Sequence, residues 1–322
     1  MATHFTVGNR IFAVKEESAA GTFETPVASD YNIVGFDVEA LNFEKNGTRL
    51  GKPASGNLNQ TRTRSGKITG STTIKTALHH SGDESVKPNI DKLLKASGLT
   101  QDATVLGNIR YTYDGTQPCS TLSLVVTELN CGSAPSGVTA KGRGCVPALT
   151  IEAPGVGEQF ALSFEMSAAY EGEEDVASPI KALTGVDDDV YTEKLLNSVF
   201  TIGGQAFVMH NATLSLNPTI SPVDDPDKPG GVLFYRITGF DPVLTASVQM
   251  LDLETSDLPD NVIDDVIISS ITIAGKYYDF EIIDGNIRND PKGEAEGIVT
   301  NELEIEVRKF TMTQKDIVAA TS

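Results

Sequence analysis

The chain has 322 residues, 39% of them hydrophobic, with 29 glycines, 15 prolines and no tryptophan; a chain of this size buries roughly 75% of its unfolded surface, enough for one large core or two smaller ones. Its 44 acidic against 25 basic side chains give a formal charge of −19, which excludes ordinary phosphate-tracking binding to nucleic acid but is compatible with passive contact with a polyanion. Many Thr, Val and Ile and no long Ala/Leu/Glu/Lys run point to a mainly β class, no apolar run approaches the roughly 20 residues of a membrane helix, and residues 1–10 lack the apolar centre of a signal peptide, so residence in the cytoplasm is expected.

In chain order, residues 1–30 read as an extended arm outside the core, because 19–26 is a small-residue run ending in Pro26. Phe36, Val38 and Ala40 then alternate with Asp37 and Glu39 until the register shifts at Leu41-Asn42-Phe43, as at a bulge or turn. Residues 46–64 are polar, with Gly47, Gly51, Pro53 and Gly56, and read as a long loop or hairpin tip of the kind that becomes ordered on assembly. The next strand sets Ile68, Gly70, Thr72 and Ile74 against Lys67, Thr69, Ser71, Thr73 and Lys75. Pro88 opens a short amphipathic helix over 89–97, with Ile90, Leu93 and Leu94 on one face and Gly98 at its end.

Leu122, Leu124 and Val126 mark another strand, and the Gly- and Pro-rich stretch 131–147 around Gly142-Arg143-Gly144 reads as loops. Phe160, Leu162, Phe164 and Met166 alternate with Ala161, Ser163, Glu165 and Ser167. The acidic, irregular stretch that begins at Glu171 gives a linker of about 171–194. Beyond it, 212–216 is a strand, 223–231 an acidic excursion, and Leu244, Ala246, Val248 and Met250 alternate with polar neighbours, while 259–268 fits either a helix or a strand. Near the end, Leu303, Ile305 and Val307 alternate with Glu302, Glu304, Glu306 and Arg308, the pattern of a strand with one dry and one wet face. Residues 162–166 share with 303–307 the order Leu-x-aromatic/aliphatic-Glu-aliphatic, and 244–250 matches 67–75 in order and character. These matches predict a duplication, with units at 31–180 and 181–322.

No constellation for catalysis or metal binding emerges. Cys119, Cys131 and Cys145 form no CxxC, so they read as buried thiols, with a disulfide between two of them the alternative. His4, His79, His80 and His210 have no ligand spacing; Asp187-Asp188-Asp189 and Asp224-Asp225-Pro226-Asp227 lack the order of a calcium loop; Gly142-Arg143-Gly144 is no phosphate loop. No nucleophile, base and orienting group can be named together, so neither an enzyme nor a cofactor is expected.

The order of elements resembles the major tail tube proteins of long-tailed (siphovirus-like) bacteriophages. The pieces that carry the likeness are Phe12-Ala13-Val14-Lys15-Glu16-Glu17 followed by Gly21-Thr22, the strand Arg64-Ser65-Gly66-Lys67-Ile68-Thr69-Gly70-Ser71, and the helix end Leu93-Leu94-Lys95-Ala96-Ser97-Gly98. To these add Ser120-Thr121-Leu122-Ser123-Leu124, Gly142-Arg143-Gly144 and Gly157-Glu158 before the strand at 160–166, so the likeness spans most of residues 10–180. It implies a β-sandwich or partial barrel with little flanking helix, whose inner strands join those of neighbours into a barrel around a lumen. Rings of such subunits stack into the tail tube, assembled in the host cytoplasm and carried in the virion, through which viral DNA passes without specific binding. Partners implied are sister copies and the tape measure, tail terminator and tail tip proteins, with no membrane.

On this reading Glu165, Glu302, Glu304 and Glu306 are candidates to face the lumen, where they repel phosphate, and Lys52, Arg62 and Arg64 are candidates to reach the next ring. Candidates for inner-strand pairing are Lys67, Ile68, Ile74, Phe164, Leu244, Val248 and Ile305. Single-unit tail tube proteins resemble sixfold rings, so two units per chain predict a trimer with pseudo-sixfold symmetry, a hexamer being the alternative. A β-sandwich decoration or adhesion module shares the same composition and is the competing class.

Overall fold

The computed structural model describes residues 5–27, 30–32, 36–49, 63–83, 85–88, 90–105, 108–116, 120–130, 137–176, 192–195, 199–249, 267–289, 292–295 and 298–316. The fold is mainly β, one large antiparallel sheet plus a separate hairpin. The first half runs β1 (Phe5–Glu16), β2 (Tyr31–Asn32), β3 (Phe36–Val38), β4 (Asn42–Arg49), β5 (Thr63–Ala77), helix α1 (Asp91–Ala96), β6 (Thr100–Val105), β7 (Asn108–Tyr113), β8 (Leu122–Asn130), β9 (Gly137–Ala153) and β10 (Ala161–Val176). The second runs β11 (Val199–Ile202), β12 (Gln205–Ser215), β13 (Pro218–Asp224), β14 (Val232–Phe240), β15 (Val243–Gln249), β16 (Ile267–Ala274), β17 (Tyr278–Asn289), β18 (Lys292–Ala295), β19 (Ile298–Glu306) and β20 (Lys309–Gln314).

In the first half β1 pairs with β2 and β8, β8 with β9, β9 with β10, β10 with β5, and β5 with β3 and then β4. In the second half β11 pairs with the start of β12 and with β16, β16 with β17, β17 with β20 and β19, β19 with β15, and β15 with β12. Among the described residues two strand ladders join the halves, where β12 adds to the C-terminal end of β9 and where β7 adds to β20.

The side chains on the dry face explain why these ladders hold. Thr76, Leu162, Ile151, Leu214, Leu244 and Ile305 lie opposite one another from β5 through β10, β9, β12 and β15 to β19, all buried or nearly so. Each such aliphatic side chain contributes about 1.5–3 kcal/mol by leaving water. One apolar core spans both halves: Phe160 of the first stacks on Phe280 of the second at 5.3 Å between ring centres, and Phe280 on Phe310 at 6.2 Å. A smaller cluster of Val146, Ala169, Val232, Tyr235 and Ile237 seats the β13–β14 hairpin on β9 and β10. Helix α1 buries Leu93 and Leu94, with Ile90 just before it, as its pattern requires. It closes with the Ser97 hydroxyl donating to the Leu93 carbonyl, and Gly98 follows at φ +105°, where the Phe240 ring leaves no room for a Cβ.

Several sequence expectations change. The opening residues are no free arm: Phe12, Ala13 and Val14 of β1 are buried between β2 and β8, so they belong to the core. The stretch around Gly142-Arg143-Gly144 is not loop but the middle of β9, and 171–176 is not linker but the end of β10. The register shift expected at Leu41-Asn42-Phe43 is present, as the break between the end of β3 at Val38 and the start of β4 at Asn42. Of the polar stretch 46–64, both flanks lie in the β4–β5 ladder, and 50–62 lies outside the described residues, as do 177–191 and 251–266. The final alternating strand ends at Glu306; Val307 stays buried and donates its N–H to the Pro242 carbonyl.

Candidate assembly face and its supports

Because neighbouring strands are in register, the residues between the dry positions share one opposite face. One row across it runs Lys75, Ser163, Thr150, Ser215, Val243 and Glu306; the next holds Glu152, Thr213, Thr245 and Glu304. Glu165 lies between Thr73 and Ala148, and Glu302 beside Ser247 and, beyond it, Asn211. The four acidic candidates, one from the middle of the sequence and three from near its end, therefore stand on one shared face, and Glu152, which alternation alone did not single out, joins them. Its signal was available: Ile151 and Ala153 flank it in the order of a half-buried strand.

These carboxylates are not equivalent. Glu165 is exposed, whereas Glu302 accepts hydrogen bonds from the hydroxyls of Ser247 (2.7 Å) and Thr300 (2.9 Å). Glu306 pairs with Arg288 at 3.2 Å, a guanidinium that also reaches Asp241 at 3.4 Å. Lys67, on β5, pairs with Asp224 at the end of β13, and Ile68 packs against Gly230. Ile74 and Phe164 face each other, as do Leu244 and Ile305; these and Val248 point into the core. Their strands already have a partner on each side within the chain, so the sheet's available edges lie elsewhere. Arg64 lies in β5 opposite Thr48, while Lys52 and Arg62 fall outside the described residues.

No protein-family model and no curated protein matches this chain. Among the described residues no three His, Cys, Asp or Glu side chains gather to hold a metal, and no helix is long and apolar enough to cross a membrane. Cys145 is a buried free thiol whose titration burial pushes well above the usual cysteine range; Cys119 and Cys131 lie outside the described residues.

Three polar supports tie distant segments around the sheet, and two of them explain short motifs. The carboxylate of Glu17 gathers the backbone N–H groups of Gly21 and Gly144, both at 2.7 Å, and the hydroxyls of Thr121 and Ser123 at 2.6 and 3.1 Å. Pieces scattered over residues 17–144 thus converge on one acid. Arg143, with a side chain only 1% exposed, donates to the carbonyls of Tyr170, Leu233, Pro229 and Val232 and to Glu171. Its flanking glycines are steric necessities: a Cβ on Gly144 would meet that of Phe234 at 2.2 Å, and one on Gly142 that of Ala168 at 2.8 Å. Gly-Arg-Gly is therefore the clamp that fastens the β13–β14 hairpin over β9 and β10.

The third support ties the two halves. Residues 192–195 thread between them, with the Glu193 N–H donating to the Leu78 carbonyl and the Phe160 N–H donating to the Glu193 carbonyl. The fully buried Glu193 carboxylate accepts three backbone N–H bonds, from Lys276 (3.0 Å), Tyr277 (2.6 Å) and Tyr278 (2.8 Å). Burial pushes its pKa up despite those donors. The Tyr278 hydroxyl donates to the His79 carbonyl, and a ring nitrogen of His80 bonds the Lys315 carbonyl at 2.8 Å, so the histidines serve this junction.

Proposed function

We propose that this chain is a structural virion protein that polymerises as stacked rings into the tail tube of a long-tailed bacteriophage, the conduit for DNA delivery. The observation that carries the reading is the shared wet face, acidic at Glu165, Glu152, Glu302, Glu304 and Glu306, on a sheet built from both halves with an apolar core behind it and the β13–β14 hairpin covering its margin at Val146 and Ala169. Turned toward a lumen, such a face repels phosphate and lets DNA slide without being held. The basic residues of 46–64, Lys52, Arg62 and Arg64, are the proposed contacts to the next ring, and tape measure, terminator and tip proteins the further partners.

Two tail-tube-like units per chain are part of this reading, and the ladders support it. β1, β2–β3, β5, β8, β9 and β10 correspond in chain order to β11, β12, β15, β16, β17 and β19–β20, and each pairing among the first set recurs among the second. The β13–β14 hairpin then corresponds to the β4–β5 hairpin, and the strands matched by sequence, β5 with β15 and β10 with β19, hold the same positions. The inner sheet takes four strands from each unit, so three copies close a barrel of roughly 24 strands. At about 4.8 Å between strands and a tilt of about 40°, its backbone diameter is about 50 Å, and six copies double it. The trimer with pseudo-sixfold symmetry gives the narrower lumen of the two, still wide enough to pass a duplex.

A second reading has its own support. In the second half the run of ladders returns to its starting strand, β11 through β12, and in the first β2 pairs back onto β1, which favours a self-contained decoration or adhesion module. Sedimentation velocity over a hundredfold range of concentration separates the two. The tail tube reading expects rings and then heavier tubes as concentration rises; a single-copy species throughout favours the module and contradicts the tube.

A further inference from the structure

Resting on the ring reading above, we infer which strands join one copy to the next and in what register: the outer edge of β3 adds to the C-terminal end of β17 of a second copy of this chain, repeating the junction that β12 and β9 make inside each chain. That internal junction is antiparallel, with Ala212 opposite Ala153, Leu214 opposite Ile151 and Ser215 opposite Thr150, and the hydroxyls of Thr150 and Ser215 stand 3.3 Å apart. It fuses the wet faces of the two halves. β3 holds the place of β12, because Val38 faces Ile74 as Leu214 faces Leu244. The end of β17 holds the place of the end of β9, because Ile287 faces Ile305 as Leu149 faces Phe164.

The described parts of both edges are open on the side the junction needs. Among the described residues β3 pairs only with β5, and Ile287–Asn289 only with β19. In a free subunit the Val38 carbonyl accepts a long bond of 3.3 Å from Arg10, and a carbonyl oxygen has a second lone pair for an incoming N–H. An edge of unpaired backbone groups is a template for another chain, and closing the sheet into a ring removes it. Carrying the internal register across gives Glu39 opposite Asn289, the counterparts of Ser215 and Thr150.

The test is disulfide trapping in assembled tubes of the full chain. Glu39→Cys combined with Asn289→Cys is expected to give, under mild oxidation, covalent species of up to three chains on non-reducing gels, absent from either single variant. Thr150→Cys with Ser215→Cys is the internal reference and closes within one chain. Tubes that form while only the internal pair cross-links overturn this junction and leave the ring reading intact, whereas a wild-type chain that never assembles removes both. Hydrogen exchange of the wild-type protein probes the same edges without substitutions. Peptides covering Phe36, Asp37 and Val38 and those covering Ile287, Arg288 and Asn289 gain protection on assembly, and unchanged exchange in the tube overturns the inference.

Discussion

Replacing Arg143 by methionine is expected to destabilise the chain by about 3–5 kcal/mol, the cost of breaking a buried, fully bonded charge cluster. Methionine keeps the stem and its packing but leaves the carbonyls of Tyr170, Pro229, Leu233 and Val232 without their donor. Each orphaned buried acceptor costs about 1–3 kcal/mol. Glu171 suffers less, because its side chain is 32% exposed and water can take over. The first consequence is local: the β13–β14 hairpin lifts from β9 and β10 and becomes a site of early proteolysis. Arg143→Lys retains the charge without the planar fork, and its loss falls between the two. Equilibrium unfolding by denaturant, with limited proteolysis across 218–240, checks both; a methionine variant within about 0.5 kcal/mol of wild type would mean that the clamp contributes nothing net.

Glu193 carries the second large effect, and its sign depends on pH. Alanine there strips three buried N–H groups of their acceptor and opens a small void, for an expected loss of about 3 kcal/mol or more. Glutamine keeps one acceptor and never ionises. Burial raises the carboxyl's pKa in the folded chain, so Glu193 binds its proton more tightly there than when unfolded. Its contribution is therefore fully present below the ordinary glutamate range and is lost as pH rises through the raised value, by about 1.4 kcal/mol for every tenfold gain in proton affinity on folding. The stability difference between wild type and Glu193→Gln is expected to shrink from about pH 5 to pH 8. A difference that grows or stays flat over that interval would contradict the assignment.

The parts of the fold that were legible in the sequence are those with one wet and one dry side. β5, β10, β15 and β19 alternate cleanly because the face described here must stay polar while the core takes every second residue. β1 escaped because Phe12, Ala13 and Val14 are all buried, and a strand covered on both faces has no period to read. β9 was hidden by its glycines, which mark the close approach of Phe234 and Ala168 and not a loop. The acidic end of β10 looked solvated, yet Glu171 and Glu174 find Arg143 and Lys141 across the ladder at 2.6 Å. Glu193 sat inside an apparent linker, and its partners lie more than 80 residues away. Local pattern thus found the face; the clamps that fix it depend on contacts between distant segments.

The proposed tube requires copies of this chain to close a ring with the acidic sheet inward. The most direct measurement is a cross-section of the assembled protein by electron cryomicroscopy, with its rotational symmetry counted and the strand faces traced. Threefold rings with a barrel backbone about 50 Å across, Glu165 and Glu304 lining the channel, are the expected result. A ring with those side chains on its outer surface, or particles that remain single chains, would contradict it.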